Sequence, residues 1–120
     1  MGSVEELSDN RQKISYKYAT DNSVTLVLKG HHTIVTSPSG EQYININGNS
    51  GMATGGSGDV LGGIIAALCA RCTTETEASS MGVYIHGLSG DIAKAELGED
   101  SMLPTDIIRH IPDALKLPVE

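Results

Sequence analysis

The sequence contains no tryptophan or phenylalanine and only four tyrosines, so a hydrophobic core must be built from aliphatic side chains. Its two cysteines are too few to staple a secreted domain. Basic residues are also scarce, 8 Lys and Arg against 15 Asp and Glu, and a net charge of −7 argues against nucleic acid or an anionic membrane as a partner. No apolar run approaches the roughly 20 residues that span a bilayer, and no signal peptide is visible. We therefore expect a cytoplasmic, globular domain.

The hydrophobic pattern predicts an α/β domain in which helices cover a sheet, rather than a complete alternating βαβαβ fold. The first strand is apolar almost throughout, so we expect it to be buried on both faces. The helix that follows the last strand is apolar on all sides and should be buried as well. The predicted elements are a helix at 4–20, strands at 24–28, 33–36 and 42–46, helices at 60–70 and 78–97, and a short helix from Pro104 with Ile107, Ile108 and Ile111 facing inward.

Glycine is concentrated in one loop. Seven of the 14 glycines lie between Gly48 and Gly63, beside aliphatic residues rather than the serines of a flexible linker. The loop runs into a predicted helix, whose first N–H groups have no partner within the helix and attract anionic oxygens together with the helix dipole. Glycine at positions 55, 56 and 58 allows successive N–H groups to turn inward around such an oxygen. The pattern predicts a phosphate site.

Two common phosphate motifs do not match this loop. A Walker-type loop ends in Gly-Lys-Ser/Thr, and no lysine is present here, while the dinucleotide fingerprint requires a glycine where Leu61 stands. Asp59, directly after the loop, is the only charged residue between Glu41 and Arg71. It could act as a general base on a hydroxyl group or as the helix N-cap, and both roles can coexist. The glycines before it favour the base, because a cap needs no permissive neighbours.

The stretch Asn49-Ser-Gly-Met-Ala-Thr-Gly-Gly-Ser-Gly-Asp-Val-Leu61, with Leu28-Lys-Gly-His-His-Thr33 upstream, closely resembles the ADP/ATP-dependent NAD(P)H-hydrate dehydratase family. The Gly-Ser-Gly-Asp core is shared with the whole ribokinase-like superfamily, whereas the longer stretch is specific to the dehydratases. The resemblance implies the C-terminal part of a ribokinase-like three-layer α/β/α fold. Residues 1–120 would form the nucleotide-binding part of the domain, and its N-terminal half would be absent.

The resemblance also implies an activity in nicotinamide nucleotide repair, the ADP- or ATP-driven dehydration of hydrated NADH or NADPH. Phosphorylation would make the hydroxyl a leaving group, and Mg²⁺ would accompany the nucleotide. Asp59 would contact the hydrated nicotinamide and serve as the base. No residue is assigned to a metal, and the residues assigned to the adenine nucleotide are Lys29, Gly30, His31, His32, Thr33, Asn49, Ser50, Gly51, Met52, Ala53, Thr54, Gly55, Gly56, Ser57 and Gly58.

Half of the substrate pocket, including a Thr-Pro-His-Pro-Gly-Glu-like segment, would lie in the absent half. We therefore expect the chain alone to have little or no dehydratase activity. It should form a homo-oligomer or associate with the missing N-terminal half, because one sheet edge would be bare. Two alternatives stay open: a ribokinase-like kinase acting on a small alcohol, and a non-catalytic nucleotide-binding or assembly module. Packing explains His86 better than catalysis does, and His110 should be exposed.

Overall fold

The computed structural model describes residues 4–53, 55–71 and 74–116, with side chains described from Asn10 onward. The chain divides into two compact units, Met1–Asn45 and Ile46–Glu120. None of the described helices is both long and apolar enough to cross a membrane. The elements in chain order are α1 (Val4–Asn22), β1 (Leu26–Leu28), β2 (Ile34–Thr36), β3 (Gln42–Ile44), a 3₁₀ turn at Ser50–Met52, α2 (Ser57–Cys69), α3 (Glu75–Leu97), a second 3₁₀ turn at Glu99–Ser101, α4 (Pro104–Arg109) and α5 (Ile111–Lys116).

The first unit is an antiparallel sheet of order β1-β2-β3 with α1 packed on β1 and β2. Val35 pairs with Val27 on one side and with Tyr43 on the other. All of β2 is buried, as expected for the central strand. The predicted strands are confirmed in number and order. The prediction that the first strand is buried on both faces is wrong: β1 is half-buried along its length, because it is an edge strand with one neighbour in the described sheet.

The second unit is helical, and α3 packs against α2, α4 and α5. A Cβ atom on Gly82 would lie 2.7 Å from Ile65 Cγ1, so the absence of a side chain there lets α2 and α3 approach closely. The small residues of α3 do serve close packing, as the sequence predicts. The buried residues of this helix are Ala78, Ser79, Gly82, Val83, Ile85, Gly87, Ser89, Gly90 and Ala93.

Helix α2 differs from its prediction in two respects. It begins at Ser57, three residues earlier than expected, and it is not buried all round. Leu61 is buried on the side that faces α3 and α4, whereas the small residues of the opposite face are exposed. The described chain supplies neighbours to one side of this helix only. The exposed residues of this face are Gly62, Gly63, Ala66 and Ala67.

The C-terminal helix is interrupted, and one of its histidines is buried. Successive residues of a helix point about 100° apart, so Ile107 is buried while Ile108 is 51% exposed, contrary to the prediction that both face inward. His110, between α4 and α5, is only 7% exposed, so the prediction of an exposed side chain is wrong. Its Nε2 is 2.8 Å from Glu96 Oε2 and its Nδ1 is 2.9 Å from Asp113 Oδ2. The histidine thus joins the end of α3 to α5.

Candidate anion and nucleotide site

The glycine-rich loop is anchored at its start by Asp91 of α3. One carboxylate oxygen, Oδ2, accepts a 3.0 Å hydrogen bond from the Gly48 backbone N–H. The other, Oδ1, accepts a 2.9 Å bond from Asn49 Nδ2. Hydrogen bonds to a charged acceptor are among the stronger ones in proteins, so one side chain fixes two consecutive residues of the loop.

Asn49 then organises the next turn of the loop. Its Oδ1 accepts a 3.0 Å hydrogen bond from the Gly51 N–H, which caps the 3₁₀ turn at Ser50–Met52. Gly51 is buried, and a Cβ atom there would lie 2.8 Å from the Glu99 carbonyl oxygen and 2.9 Å from Met102 Sδ. Any larger residue at this position would displace the turn. Because the Asn49 side chain bonds both Asp91 and Gly51, it acts within the fold before any ligand is considered.

A second set of polar side-chain contacts holds the same turn from its exposed side. Ser50 Oγ donates a 2.8 Å hydrogen bond to Glu99 Oε2, and Glu99 Oε1 lies 2.8 Å from Lys94 Nζ. The hydrogen bond from Lys94, followed by that from Ser50, lowers the pKa of Glu99 below its usual range. The hydrogen bond and the charge of Glu99 raise the pKa of Lys94. Both partners are solvated, so their contribution is one of orientation more than of stability.

The loop ends at Gly56, the N-cap of α2. Gly56 has φ 97° and ψ −17°, a left-handed conformation that strains any residue with a Cβ atom. A Cβ here would also lie 3.3 Å from Pro104 Cγ at the start of α4. Glycine at this position is therefore required by the backbone. It also settles the N-cap question: the cap is Gly56, so the interpretation of Asp59 as the N-cap is wrong.

The first turn of α2 has the features of an anion site. Among the described residues, none accepts a hydrogen bond from the backbone N–H groups of Ser57, Gly58 or Asp59, whereas the Val60 N–H already bonds to the Gly56 carbonyl at 3.2 Å. These three N–H groups lie where the helix dipole is positive. Asp59 is the third residue of the helix, and its side chain is exposed. A carboxylate thus stands beside donors that have no acceptor in the described part of the chain, an arrangement suited to phosphoryl transfer to a hydroxyl.

His86 of α3 contacts the same turn from the interior. Its Nε2 lies 3.3 Å from Ser57 Oγ and 3.2 Å from the Ser57 carbonyl oxygen. Ser57 itself is buried, so its side chain faces α3 rather than solvent. The sequence predicts a packing role for His86, and the structure gives this side chain a specific polar partner, Ser57.

The upstream segment of the resemblance lies in the first unit, between β1 and β2. Lys29, Gly30, His31 and His32 are exposed, and His32 has a positive φ of 60°. Arg11 of α1 holds this segment through its backbone: Nη1 donates to the His31 carbonyl at 3.0 Å, and Nη2 donates to that of Leu28 at 3.3 Å. The side chains of Lys29, His31 and His32 lie on the surface, and the ring centroids of the two histidines are 4.0 Å apart.

The residues predicted for the nucleotide therefore fall into two groups. Residues 49–53 and 55–59 lie in the glycine-rich loop and the start of α2 in the second unit, and residues 29–33 form a loop in the first unit. Thr54 lies outside the described residues. No group of three His, Cys, Asp or Glu side chains that could hold a metal ion occurs in the part of the chain that the structure describes.

Two residues of the site were not singled out from the sequence, Asp91 and Glu99. Asp91 had a visible signal: it is the only charged residue between Glu77 and Lys94, on a helix of otherwise small and apolar residues. Glu99 had none, because it belongs to an acidic segment that is typical of a solvated surface.

Comparison with known proteins places these features in a family. The family model described as Carb_kinase, NAD(P)H-hydrate dehydratase, matches residues 1–113. The chain is 46% identical over 114 residues to the bifunctional NAD(P)H-hydrate repair enzyme Nnr of Thermofilum pendens, a match that covers 95% of this chain and 22% of that protein. It is 43% identical over 95 residues to the ADP-dependent (S)-NAD(P)H-hydrate dehydratase of Neisseria meningitidis serogroup B, covering 79% of this chain and 32% of that one.

Solved structures agree. The ADP/ATP-dependent NAD(P)H-hydrate dehydratase of Bacillus subtilis, co-crystallised with ATP/Mg²⁺ and soaked with CoA, matches with a TM-score of 0.86 at 28% identity, covering 94% of this chain and 42% of that chain. Bacillus subtilis YxkO, a member of the UPF0031 family, matches with a TM-score of 0.87.

The fold and the glycine-rich helix start define a ribokinase-like α/β protein. Within that class, the chain belongs to the NAD(P)H-hydrate dehydratase family. This confirms the resemblance carried by residues 28–33 and 49–61. The chain spans 22% and 32% of the length of the two curated relatives described above, and 42% of the Bacillus subtilis dehydratase chain.

Proposed function

We propose that residues 1–120 are the C-terminal, nucleotide-binding part of an enzyme that uses ADP or ATP to dehydrate hydrated NADH or NADPH. The observation that carries this proposal is the first turn of α2, where the N–H groups of Ser57, Gly58 and Asp59 have no acceptor among the described residues and the Asp59 carboxylate is exposed. Membership of the dehydratase family supports the choice of substrate.

The proposed chemistry assigns one role to each group of this turn. The nucleotide supplies a phosphoryl group, which turns the hydroxyl of the hydrated nicotinamide into a leaving group. The Asp59 carboxylate accepts the proton of that hydroxyl. The N–H groups of Ser57 and Gly58 donate to the phosphoryl oxygens, where negative charge is spread during transfer, and the nucleotide is left one phosphate shorter. When the phosphate then departs with the C–O electron pair, the neighbouring ring carbon loses a proton and the ring double bond of NADH or NADPH forms again.

The residues present fit a nucleotide better than a metal held by protein alone. Within the described residues, three N–H groups have no acceptor and suit phosphate oxygens, whereas no set of three metal ligands occurs there. Mg²⁺ would therefore be bound mainly through the nucleotide's own phosphates. Residues 29–33 and the remainder of 49–58, including Thr54, are proposed to contact the nucleotide as well.

The proposal extends to location and partners. We propose that the protein acts in the cytoplasm. We propose that the exposed apolar face of α2, formed by Gly62, Gly63, Ala66 and Ala67, is covered either by the remaining part of the domain or by a second copy of this chain. Light scattering tests this for the chain alone: association is expected, and a monodisperse monomer would contradict it.

Two measurements test the proposed function. Calorimetry of the 120-residue chain with ADP and Mg²⁺ should show binding. If ADP, ATP and AMP at millimolar concentration all give no heat of binding, the proposed nucleotide site is excluded for this chain. In a complete enzyme that contains the chain, hydrated NADH with ADP should return NADH. A panel of sugar and vitamin alcohols is the control, since phosphorylation of one of them without NADH return would make the protein a small-molecule kinase. Nucleotide binding without turnover in either assay would make it a binding module.

A further inference from the structure

His86 contacts the carbonyl of the peptide unit that carries a proposed donor, the Gly58 N–H. The carbonyl of Ser57 and the N–H of Gly58 belong to the same peptide unit, which is planar and trans, so the two groups point in opposite directions. The contact of His86 Nε2 with the Ser57 oxygen, at 3.2 Å, therefore lies on the side of this peptide unit opposite to the Gly58 N–H.

The protonation of Nε2 follows from the same contact. A backbone carbonyl only accepts hydrogen bonds, so Nε2 carries a proton whenever it bonds to the Ser57 oxygen. The Ser57 hydroxyl oxygen lies 3.3 Å from the same nitrogen and can accept the same N–H in a bifurcated hydrogen bond. A hydrogen bond to the carbonyl also polarises the peptide unit, which strengthens the Gly58 N–H as a donor.

The local sequence gives such a contact a role in holding this peptide unit. Ser57 stands between Gly56 and Gly58, and glycine loses more backbone freedom on ordering than any other residue. No side chain caps the start of α2. As the first residue of α2, Ser57 directs its carbonyl along the helix, and His86 Nε2 is the side-chain nitrogen that adds a further contact to this oxygen.

We propose that His86 is a positioning residue: by donating from Nε2 to the Ser57 carbonyl, it holds the Gly58 N–H toward the bound phosphate. The identity of the anion rests on the proposed function, but the orientation of the peptide unit does not. The proposal is therefore tested first without any ligand.

The first test is amide hydrogen exchange of the 120-residue chain in the variants His86→Leu, His86→Gln and His110→Gln. Gln retains a donor at about the reach of Nε2, whereas Leu has none. His86→Leu should speed exchange of the Val60 N–H, the first hydrogen bond of α2, by about tenfold relative to the end of the helix, since one hydrogen bond is worth about a factor of ten. His86→Gln should restore it to within about twofold of the wild type. His110→Gln removes a buried histidine elsewhere and should leave this ratio unchanged.

The second test is calorimetry of the same variants with ADP and Mg²⁺. His86→Leu should weaken binding by about five- to tenfold, and His86→Gln should recover most of that loss. Equal affinity and equal Val60 exchange in His86→Leu and the wild type would overturn the proposal. If the wild type binds no nucleotide, the proposed function fails and the exchange ratio alone decides the role of His86. Should His86→Leu not fold, His86→Asn replaces it, because its amide is too short to reach Ser57 and it should behave as Leu does.

Discussion

The carboxylate of Asp91 accepts a 2.9 Å hydrogen bond from the side-chain amide of Asn49. This contact joins the middle of α3 to the start of the glycine-rich loop. His86, one and a half turns earlier on the same helix, contacts the end of the loop at Ser57. A single helix therefore holds both ends of a segment whose glycines would otherwise leave it flexible. The donors at the start of α2 are arranged before any ligand arrives.

The anchoring role of Asp91 predicts a loss of stability in Asp91→Asn. The amide that replaces one carboxylate oxygen cannot accept from both the Gly48 N–H and Asn49 Nδ2. We expect the free energy of unfolding to fall by about 1–3 kcal/mol. Urea denaturation measures it. Asp100→Asn, an exposed acidic residue of the same unit, is the matched control and should change stability by less than about 0.5 kcal/mol. Equal effects of the two substitutions would mean that the loop is not anchored by Asp91.

The left-handed backbone of Gly56 predicts that this glycine cannot be replaced, whereas its neighbour can. Gly56→Ala should cost about 1–2 kcal/mol for the positive φ, with a further contribution from contact with Pro104. Nothing described lies within 4 Å of a Cβ atom on Gly55, and Gly55 has no positive φ. Gly55→Ala is therefore the control, and thermal unfolding of both variants should separate them. A tolerated Gly56→Ala would show that α2 does not begin with this turn.

The lowered pKa of Glu99 predicts a dependence on pH with a definite sign. Because the pKa of Glu99 is lower in the folded chain than in the unfolded chain, the ionised side chain stabilises the fold at pH values above the pKa of the unfolded chain. This contribution is lost as the pH falls below about 4. The wild type should be more stable than Glu99→Gln at neutral pH, and the difference should vanish in acid. Lys94→Met should reduce the same difference, since Lys94 is the main cause of the shift and the hydrogen bond from Ser50 remains. A difference that persists unchanged at low pH would contradict this.

The proposed role of Asp59 predicts a separation of turnover from binding. In a complete enzyme that contains this chain, Asp59→Asn should lower kcat by about 10²- to 10⁴-fold, the usual contribution of a general base. Nucleotide affinity should change by less than about threefold, because the neighbouring N–H groups are retained. Steady-state kinetics with calorimetry of the same preparation measure both. Turnover that survives the substitution would reduce Asp59 to a favourable charge in the first turn of α2.

The local pattern of the sequence predicts most of the elements, because each short apolar segment is bounded by turn residues such as Ser37-Pro38-Ser39-Gly40. The sequence also predicts N–H groups without an acceptor after the glycines, because the first N–H groups of any helix have no partner within that helix. The sequence predicts the start of α2 three residues too late, because a glycine such as Gly58 is more typical of a loop than of a helix. The burial of β1 and α2 depends on neighbours that a one-dimensional pattern does not contain. The roles of Asp91 and His86 required coordinates, since each partner lies far away along the chain.

The most direct test of the account is a titration of the ¹⁵N-labelled chain with ADP and Mg²⁺, followed by the amide signal of each residue. We expect the largest shifts at Ser57, Gly58 and Asp59, whose N–H groups have no acceptor among the described residues. The amides of Met52 and Ala53, which already bond to carbonyls of the 3₁₀ turn, should move less. Saturable shifts confined to other residues, with the first turn of α2 unchanged, would show that the phosphates bind elsewhere.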